Sequence, residues 1–134
     1  NFITAWIGLY DPATRELEYG CFGHPPALLL HQDGTVTELG LSGSAFGVME
    51  MDQVKPKSLV LKPHDLLVLY TDGIIEARNE RDEMVGKERF LQTVQDVRFS
   101  SAEDLVQKLV KEIENFCGKE PLHDDLTLLV LSQK

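Results

Sequence analysis

Two carboxylate-bearing segments of this 134-residue chain have the residue types and surroundings to do chemistry. In one, the apolar run Leu66-Leu67-Val68-Leu69-Tyr70 leads into Thr71-Asp72-Gly73; in the other, His123-Asp124-Asp125 opens directly into Leu126-Thr127-Leu128-Leu129-Val130-Leu131. Hard divalent cations such as Mg and Mn prefer oxygen ligands, and one or two carboxylates with several waters suffice to hold them. Strands fix such ligands better than mobile loops do. Asp72, Asp124 and Asp125 therefore read as a shared metal site at the ends of two strands. On spacing alone a strand followed by Asp-Gly is also an ordinary turn, because Asp tolerates turn geometry and Gly accepts positive φ.

The elements that must position these acids are mostly strands. Phe2 to Tyr10 is rich in aromatic and β-branched residues and ends at Asp11-Pro12, and Leu17 to Phe22 alternates with the period of a half-buried strand, so the two predict a hairpin through Asp11 to Arg15. Gly23-His24-Pro25-Pro26 interrupts the pattern before a strand over Ala27 to His31, and Gln32-Asp33-Gly34 turns it into Thr35 to Leu39, extending an antiparallel meander. Gly40 to Gly47 predicts an irregular loop, Val48 to Met51 a strand-like stretch, and Val54 to Leu61 and Asp65 to Tyr70 two further strands. After Gly73 the period changes. Phe90, Leu91, Val94 and Val97 mark one helical face; Leu105, Val106, Leu109, Val110, Ile113, Phe116 and Cys117 mark another. Ser100-Ser101-Ala102-Glu103 supplies a capping-box start for the second helix and Gly118 a stop, and the chain closes with a buried strand over Leu126 to Leu131.

Composition narrows the function classes. The length suits one domain, and 43% hydrophobic content is enough for a core. Acidic residues outnumber basic ones, 22 against 13, for a net charge of -9, and no Lys/Arg cluster is long enough to track phosphates, so nucleic acid is not an expected partner. No run approaches the roughly 18 apolar residues of a membrane helix, and no charged-then-apolar leader opens the chain; the expectation is a soluble, cytoplasmic protein. Cys21 and Cys117 are widely spaced and read as core or helix-face thiols in a reducing compartment.

Four ordered elements carry a resemblance: Tyr70-Thr71-Asp72-Gly73-Ile74-Ile75-Glu76-Ala77-Arg78-Asn79, Gly23-His24-Pro25-Pro26, Gly86-Lys87-Glu88-Arg89-Phe90, and His123-Asp124-Asp125-Leu126-Thr127-Leu128-Leu129-Val130. Together they resemble the SpoIIE-like, PPM-type metal-dependent protein serine/threonine phosphatases of bacteria. The resemblance implies an α+β fold, an α-β-β-α sandwich of two antiparallel sheets flanked by helices, with a binuclear Mn or Mg site at one end of the sheets. It implies that a metal-bound water attacks the phosphorus of phosphoserine or phosphothreonine directly. It carries the metal-ligand role onto Asp72 with its neighbour Gly73, onto Asp124, and onto the adjacent Asp125. It also implies a phosphorylated anti-anti-sigma factor as substrate and an upstream sensor or receiver domain.

One family element is missing from these residues. Complete members place an Asp-x-x-Gly-His type strand end upstream of the strand matched by Phe2 to Tyr10, and its Asp bridges the two metals. The expectation is therefore a single SpoIIE-like domain over residues 1–134 that lacks its N-terminal strands and helix, with little or no activity by itself and with an exposed sheet edge that favours a homodimer. Two other functions compete: a non-catalytic signalling module on the same scaffold, and a phosphatase of small molecules.

The remaining polar residues have two readings each. His24 stands near the implied metal cleft or shapes its Gly-Pro loop. His123 orients one of the paired acids or is a solvent-exposed loop residue. Arg78 contacts a phosphate, or pairs with Glu80, Asp82 or Glu83 on a solvated segment. Trp6 and Phe2 are expected to pack in the sheet.

Overall fold

Alternating apolar residues on either side of Asp11-Pro12 produce the expected hairpin in the computed structural model, which describes residues 1–48, 55–97 and 99–132. Strand β1 (Ala5–Asp11) pairs antiparallel with β2 (Glu16–Phe22), with Trp6 opposite Cys21 and Tyr10 opposite Leu17. Strands β3 (Ala27–Leu30) and β4 (Val36–Leu39) form the next hairpin, followed by β5 (Lys57–Val60) and β6 (Leu66–Tyr70). Three helices follow, α1 (Asp72–Glu76), α2 (Gly86–Asp96) and α3 (Ala102–Cys117), and β7 (Leu128–Ser132) closes the chain.

The strands form two sheets, one in the order β1-β2-β5 and one in the order β4-β3-β6-β7. The second sheet lies in the middle of the molecule, which explains why β3 and β6 read as unbroken apolar runs rather than alternating ones. On one face Leu28, Leu30, Leu66, Val68 and Tyr70 pack with Phe90 and Val94 of α2 and with Leu105, Leu109, Ile113 and Cys117 of α3. On the other, Ala27, Leu29, Leu39 and Leu67 meet Leu17 and Tyr19 of the first sheet, with Trp6 and Tyr10 at the margin. The Tyr70 and Phe90 rings lie 4.6 Å apart at 57°, and burial, with Glu38 adding a smaller effect, pushes the Tyr70 hydroxyl pKa up to about 12.

The layers are therefore helix, sheet, sheet. The outer face of the first sheet carries no helix among the described residues, and Ile7 and Leu9 of its edge strand β1 are 57% and 71% exposed. Two antiparallel sheets with helices against one of them are the sandwich elements expected from the sequence.

Several expectations shift in detail. The first strand begins at Ala5 rather than Phe2; Ile3 makes only an isolated bridge to Phe46, and Phe2 is exposed rather than packed in the sheet. Trp6 does pack, stacking on Tyr19 and donating its indole N–H to the Leu39 carbonyl at 3.1 Å. Strand β3 stops before His31, whose ring turns to Asp65. Strand β5 is shorter than Val54 to Leu61, and Val54, like Met49 to Met51, lies outside the described residues. The Gly40 to Gly47 loop is irregular but firmly tied: Ser42 and Gly43 both donate their N–H to the Cys21 carbonyl, and Ser42 Oγ accepts the Cys21 N–H. The last strand is half-buried rather than buried, because β7 is a sheet edge and Leu129 faces out at 53% exposure.

The α3 cap lies one residue later than the sequence suggests. Ser101, not Ser100, is the N-cap and accepts the Asp104 N–H at 3.1 Å, while the Asp104 carboxylate receives the Ser100 N–H at 2.8 Å and Lys108 Nζ at 2.9 Å. Those contacts, Lys108 first, hold the Asp104 carboxyl below its usual range. A depressed carboxylate contributes stability above its unfolded-state pKa and loses it as pH falls through the lowered folded value. Ser101→Ala should cost about 1 kcal/mol in urea unfolding, and Asp104→Asn should remove part of the acid-side loss of stability, both read from denaturation midpoints across pH.

Candidate metal centre

Strand β6 and the entry to β7 run antiparallel in the central sheet, with Tyr70 opposite Leu128. Continuing that register carries Asp72 to Leu126, so Asp72 and Asp125 emerge side by side at the same sheet end. Hydrogen bonds fix this meeting beyond the ladder. The Thr71 N–H donates to the Thr127 carbonyl at 3.1 Å, the Thr127 N–H donates to Thr71 Oγ1 at 3.1 Å, and Thr71 Oγ1–H donates to the Asp125 carbonyl at 3.3 Å. Thr71 stands at the N-cap of α1 but makes no side-chain cap bond, because its hydroxyl is turned to the neighbouring chain.

Gly73 owes its identity to this contact. It lies inside α1 rather than in a positive-φ turn, and a Cβ there would stand 2.5 Å from the Asp125 carbonyl oxygen. The Asp-Gly pair is thus a helix start that lets the Asp125 backbone approach, not the ordinary turn. Ile74, 1% exposed, anchors the helix in the core beneath it.

The three carboxylates are solvent-exposed. Asp72 occupies the first turn of α1, and Asp124 Oδ1 accepts the Asp125 N–H at 2.8 Å, which orients the loop leading into β7. Beside them lies a cleft of about 410 Å³ lined by Gly73, Glu76, Arg78, Met84, His123 and Asp124 among others. The structure thus brings Gly73, Arg78, His123 and Asp124 to one cavity, next to Asp72 and Asp125. Sequence reasoning missed two contributors: Thr71, and Glu76, whose position one helical turn after Asp72 was the available signal.

His123 Nε2 is 3.1 Å from Glu120 Oε1 and its ring is exposed, so its ion-pair partner lies outside the paired acids. Arg78 takes the solvated-segment reading in this structure: Nη1 donates to both the carbonyl and Oδ1 of Asp82, each at 2.9 Å. Asn79 organises the same turn, accepting the Arg81 and Glu83 N–H groups at 3.0 Å each. His24 follows Gly23, whose φ is 62°, at the sheet end where β3 begins, and its Nδ1 lies 3.3 Å from Thr4 Oγ1. It shapes the loop there, its carbonyl receiving the Cys21 thiol at 3.1 Å.

Oxygen donors on rigid, cross-linked backbone suit a hard cation with water completing its shell. Among the described residues, however, no group of three or more His, Cys, Asp or Glu converges in a way that could hold a metal ion. Asp72, Asp124 and Asp125 are nonetheless exposed carboxylate donors of the hard type that such cations take.

Comparison with known proteins identifies the family of the chain. The family model described as Stage II sporulation protein E (SpoIIE) matches residues 1–134. The chain is 28% identical over 130 residues to Protein IcfG of Synechocystis, covering 97% of this chain and 20% of that protein. It is 28% identical over 134 residues to the phosphoserine phosphatase RsbU of Bacillus subtilis, covering 99% and 39%. The chain thus spans well under half the length of these relatives. Among solved structures, the SiaA-PP2C domain of Pseudomonas aeruginosa superposes with a TM-score of 0.80 at 23% identity, over 95% of this chain and 50% of that one. Similar folds include a manganese-presoaked phosphatase domain of SpoIIE from Bacillus subtilis, with TM-score 0.72, 18% identity and coverage of 96% and 56%. They also include RsbX in complex with magnesium, with TM-score 0.64, 15% identity and coverage of 95% and 54%. With the helix-sheet-sheet layering and the joined strand-end aspartates, the match over every residue establishes that this chain belongs to the SpoIIE family and carries the PP2C-type phosphatase fold.

Proposed function

We propose that this chain is the metal-binding part of a metal-dependent protein serine/threonine phosphatase domain of bacterial signalling. The observation that carries the reading is the joining of the Asp72 and Asp124-Asp125 segments through Thr71 and Gly73. That joining extends the β6-β7 pairing and leaves all three carboxylates facing solvent. RsbU, named as a phosphoserine phosphatase, supports the reaction class, and the manganese- and magnesium-treated structures support Mn or Mg as cofactor. The substrate in this reading is a phosphorylated anti-anti-sigma-type regulator, with a sensor or receiver domain upstream.

Asp72 and Asp124 would hold the cation, with Asp125 beside them. When bound, the cation supplies Lewis-acid chemistry, offsetting phosphoryl charge and making water acidic enough to react near neutral pH. The chain's own residues do the positioning. Thr71 and the closely packed Gly73 fix the spacing between the two ligand segments, and His123 borders the cleft. Arg78 faces the same cleft with a guanidinium suited to a phosphate, and exchanging Asp82 for the substrate oxygens would bring it into the reaction site.

The absence of a three-acid cluster among the described residues supports the further reading that this chain is an N-terminally incomplete domain, inactive alone because the bridging aspartate is missing. The uncovered outer face of the β1-β2-β5 sheet agrees with it, and a segment upstream of Asn1 is the occupant we assign to that face. Self-association through the β1 edge is the alternative cover. The same missing cluster is what a non-catalytic signalling module would display, and comparing turnover of phosphopeptide with that of a small phosphoester separates the small-molecule reading.

Asp72→Asn should abolish Mn binding in calorimetry while leaving the circular dichroism spectrum nearly unchanged; retained affinity would remove Asp72 from the site. Thr71→Val, which keeps the shape but deletes the hydroxyl linking the two segments, should weaken Mn binding by about 10- to 100-fold. Mn-dependent hydrolysis of a phosphoserine peptide should appear only when the chain is extended upstream in its own gene. Activity in neither form would favour the non-catalytic module, and activity in both would refute the missing-ligand argument.

A further inference from the structure

At the opposite end of β6 from Asp72, one buried charge is held in an arrangement that the phosphatase reading does not use. Asp65 immediately precedes β6 and is 1% exposed, the one buried charged residue among those described. Five strand residues separate the two ends, roughly 20 Å.

Both Asp65 oxygens are engaged. Oδ2 accepts the Lys62 N–H at 2.8 Å, and Oδ1 lies 3.1 Å from His31 Nδ1. An ionised carboxylate only accepts, so Nδ1 of the imidazole must carry the hydrogen, and in the neutral ring Nε2 is then an acceptor. Its partner is Thr37 Oγ1 at 2.9 Å. In that neutral tautomer the hydroxyl donates to a base that is oriented from its far side by a buried acid. A simple strut between the β3-β4 hairpin and the turn before β6 would need the Asp65 contact alone; the hydroxyl on the second nitrogen completes a nucleophile, base and orienting-acid constellation.

The site is open to a substrate. A cavity of about 550 Å³ is lined by His31, Asp33, Thr35, Thr37, Lys62 and Asp65. Asp33 is satisfied within its own turn, accepting the Thr35 N–H at 2.9 Å and the Thr35 hydroxyl at 2.6 Å. Lys62 lines the same cavity, and the Thr35 contacts, helped by the charges of His31 and Lys62, hold the Asp33 carboxyl below its usual range.

We propose that Thr37, His31 and Asp65 form a hydroxyl-nucleophile relay that accepts acyl groups from small carboxylic esters, independently of any metal. In the first step Thr37 Oγ bonds to the acyl carbon, its proton passes to His31 Nε2, and the ester C–O bond breaks as the leaving alcohol or phenol takes that proton from His31, which is neutral again for the second step. In the second, water gives its proton to His31 and its oxygen to the acyl carbon, and the Thr37 oxygen regains a proton as the carboxylic acid departs.

The test is p-nitrophenyl acetate hydrolysis by the unmodified chain in the presence of a chelator, with peptide mapping of the acetylated residue. The expected result is p-nitrophenolate release that falls about 100-fold in Thr37→Ala and in His31→Gln. Thr37→Ser, which presents a less hindered primary hydroxyl, should raise the rate and carry the acetyl group on Ser, whereas a structural hydroxyl would leave the rate unchanged and stay unacetylated. Circular dichroism on each variant separates loss of the relay from loss of the fold. A release rate unchanged in folded Thr37→Ala, or acetyl groups found only on lysines and the N-terminus, would overturn the proposal.

Discussion

The proposed phosphatase function depends on the approach of two backbone segments at one end of the central sheet. The Asp125 carbonyl comes close enough to Gly73 that a methyl group there would sit 2.5 Å away. Thr71 then spends both its backbone and its hydroxyl on Asp125 and Thr127. Carboxylates that share a cation must be held at a fixed separation against their mutual repulsion. In the proposed site, backbone contacts would supply that constraint, so the charged side chains need not supply it themselves.

The constraint works only because both segments are extensions of rigid elements. Strand β6 is buried between the helical layer and the first sheet, with Val68 fully buried, and Ile74 pins the first turn of α1 directly after it. The edge strand β7 is held to β6 by a continuous five-residue ladder. The core therefore aims Asp72, while the ladder aims Asp124 and Asp125. A slip of one residue in the β6-β7 register would turn the apolar face of β7 toward solvent, so the packing that stabilises the sheet also protects the spacing of the acids.

The sequence made the scaffold legible wherever pattern and packing agree. The apolar runs of β3 and β6, the Asp11 to Arg15 hairpin and the spacing of Leu105, Leu109 and Ile113 all point to the elements observed. It misread features decided by contacts remote in the chain. Gly73 looks like a turn glycine because its crowding comes from Asp125, 52 positions on. The Ser101 cap could be placed only once Asp104 was seen to turn back to Ser100, and His31 stands just past the end of β3 with its ring on Asp65, 34 positions on. The candidate aspartates were legible as strand-end acids. Arg78 was legible only as a choice between partners, and the structure pairs it with Asp82.

The uncovered face of the first sheet fits the same picture. Ile7 and Leu9 alternate outward on β1 with no charged residue between Ala5 and Tyr10 to protect the edge, which is unusual for a strand meant to remain exposed. The proposed metal-binding end and the uncovered face fit one reading, in which the acids here would be part of a larger ligand set. The most direct test of its central claim is paramagnetic broadening of backbone amides by Mn at substoichiometric concentration. The account predicts loss of signal confined to the neighbourhoods of Asp72 and of His123 to Thr127. Broadening centred elsewhere, such as at Asp33 and Asp65, or spread evenly over the acidic surface, would contradict it.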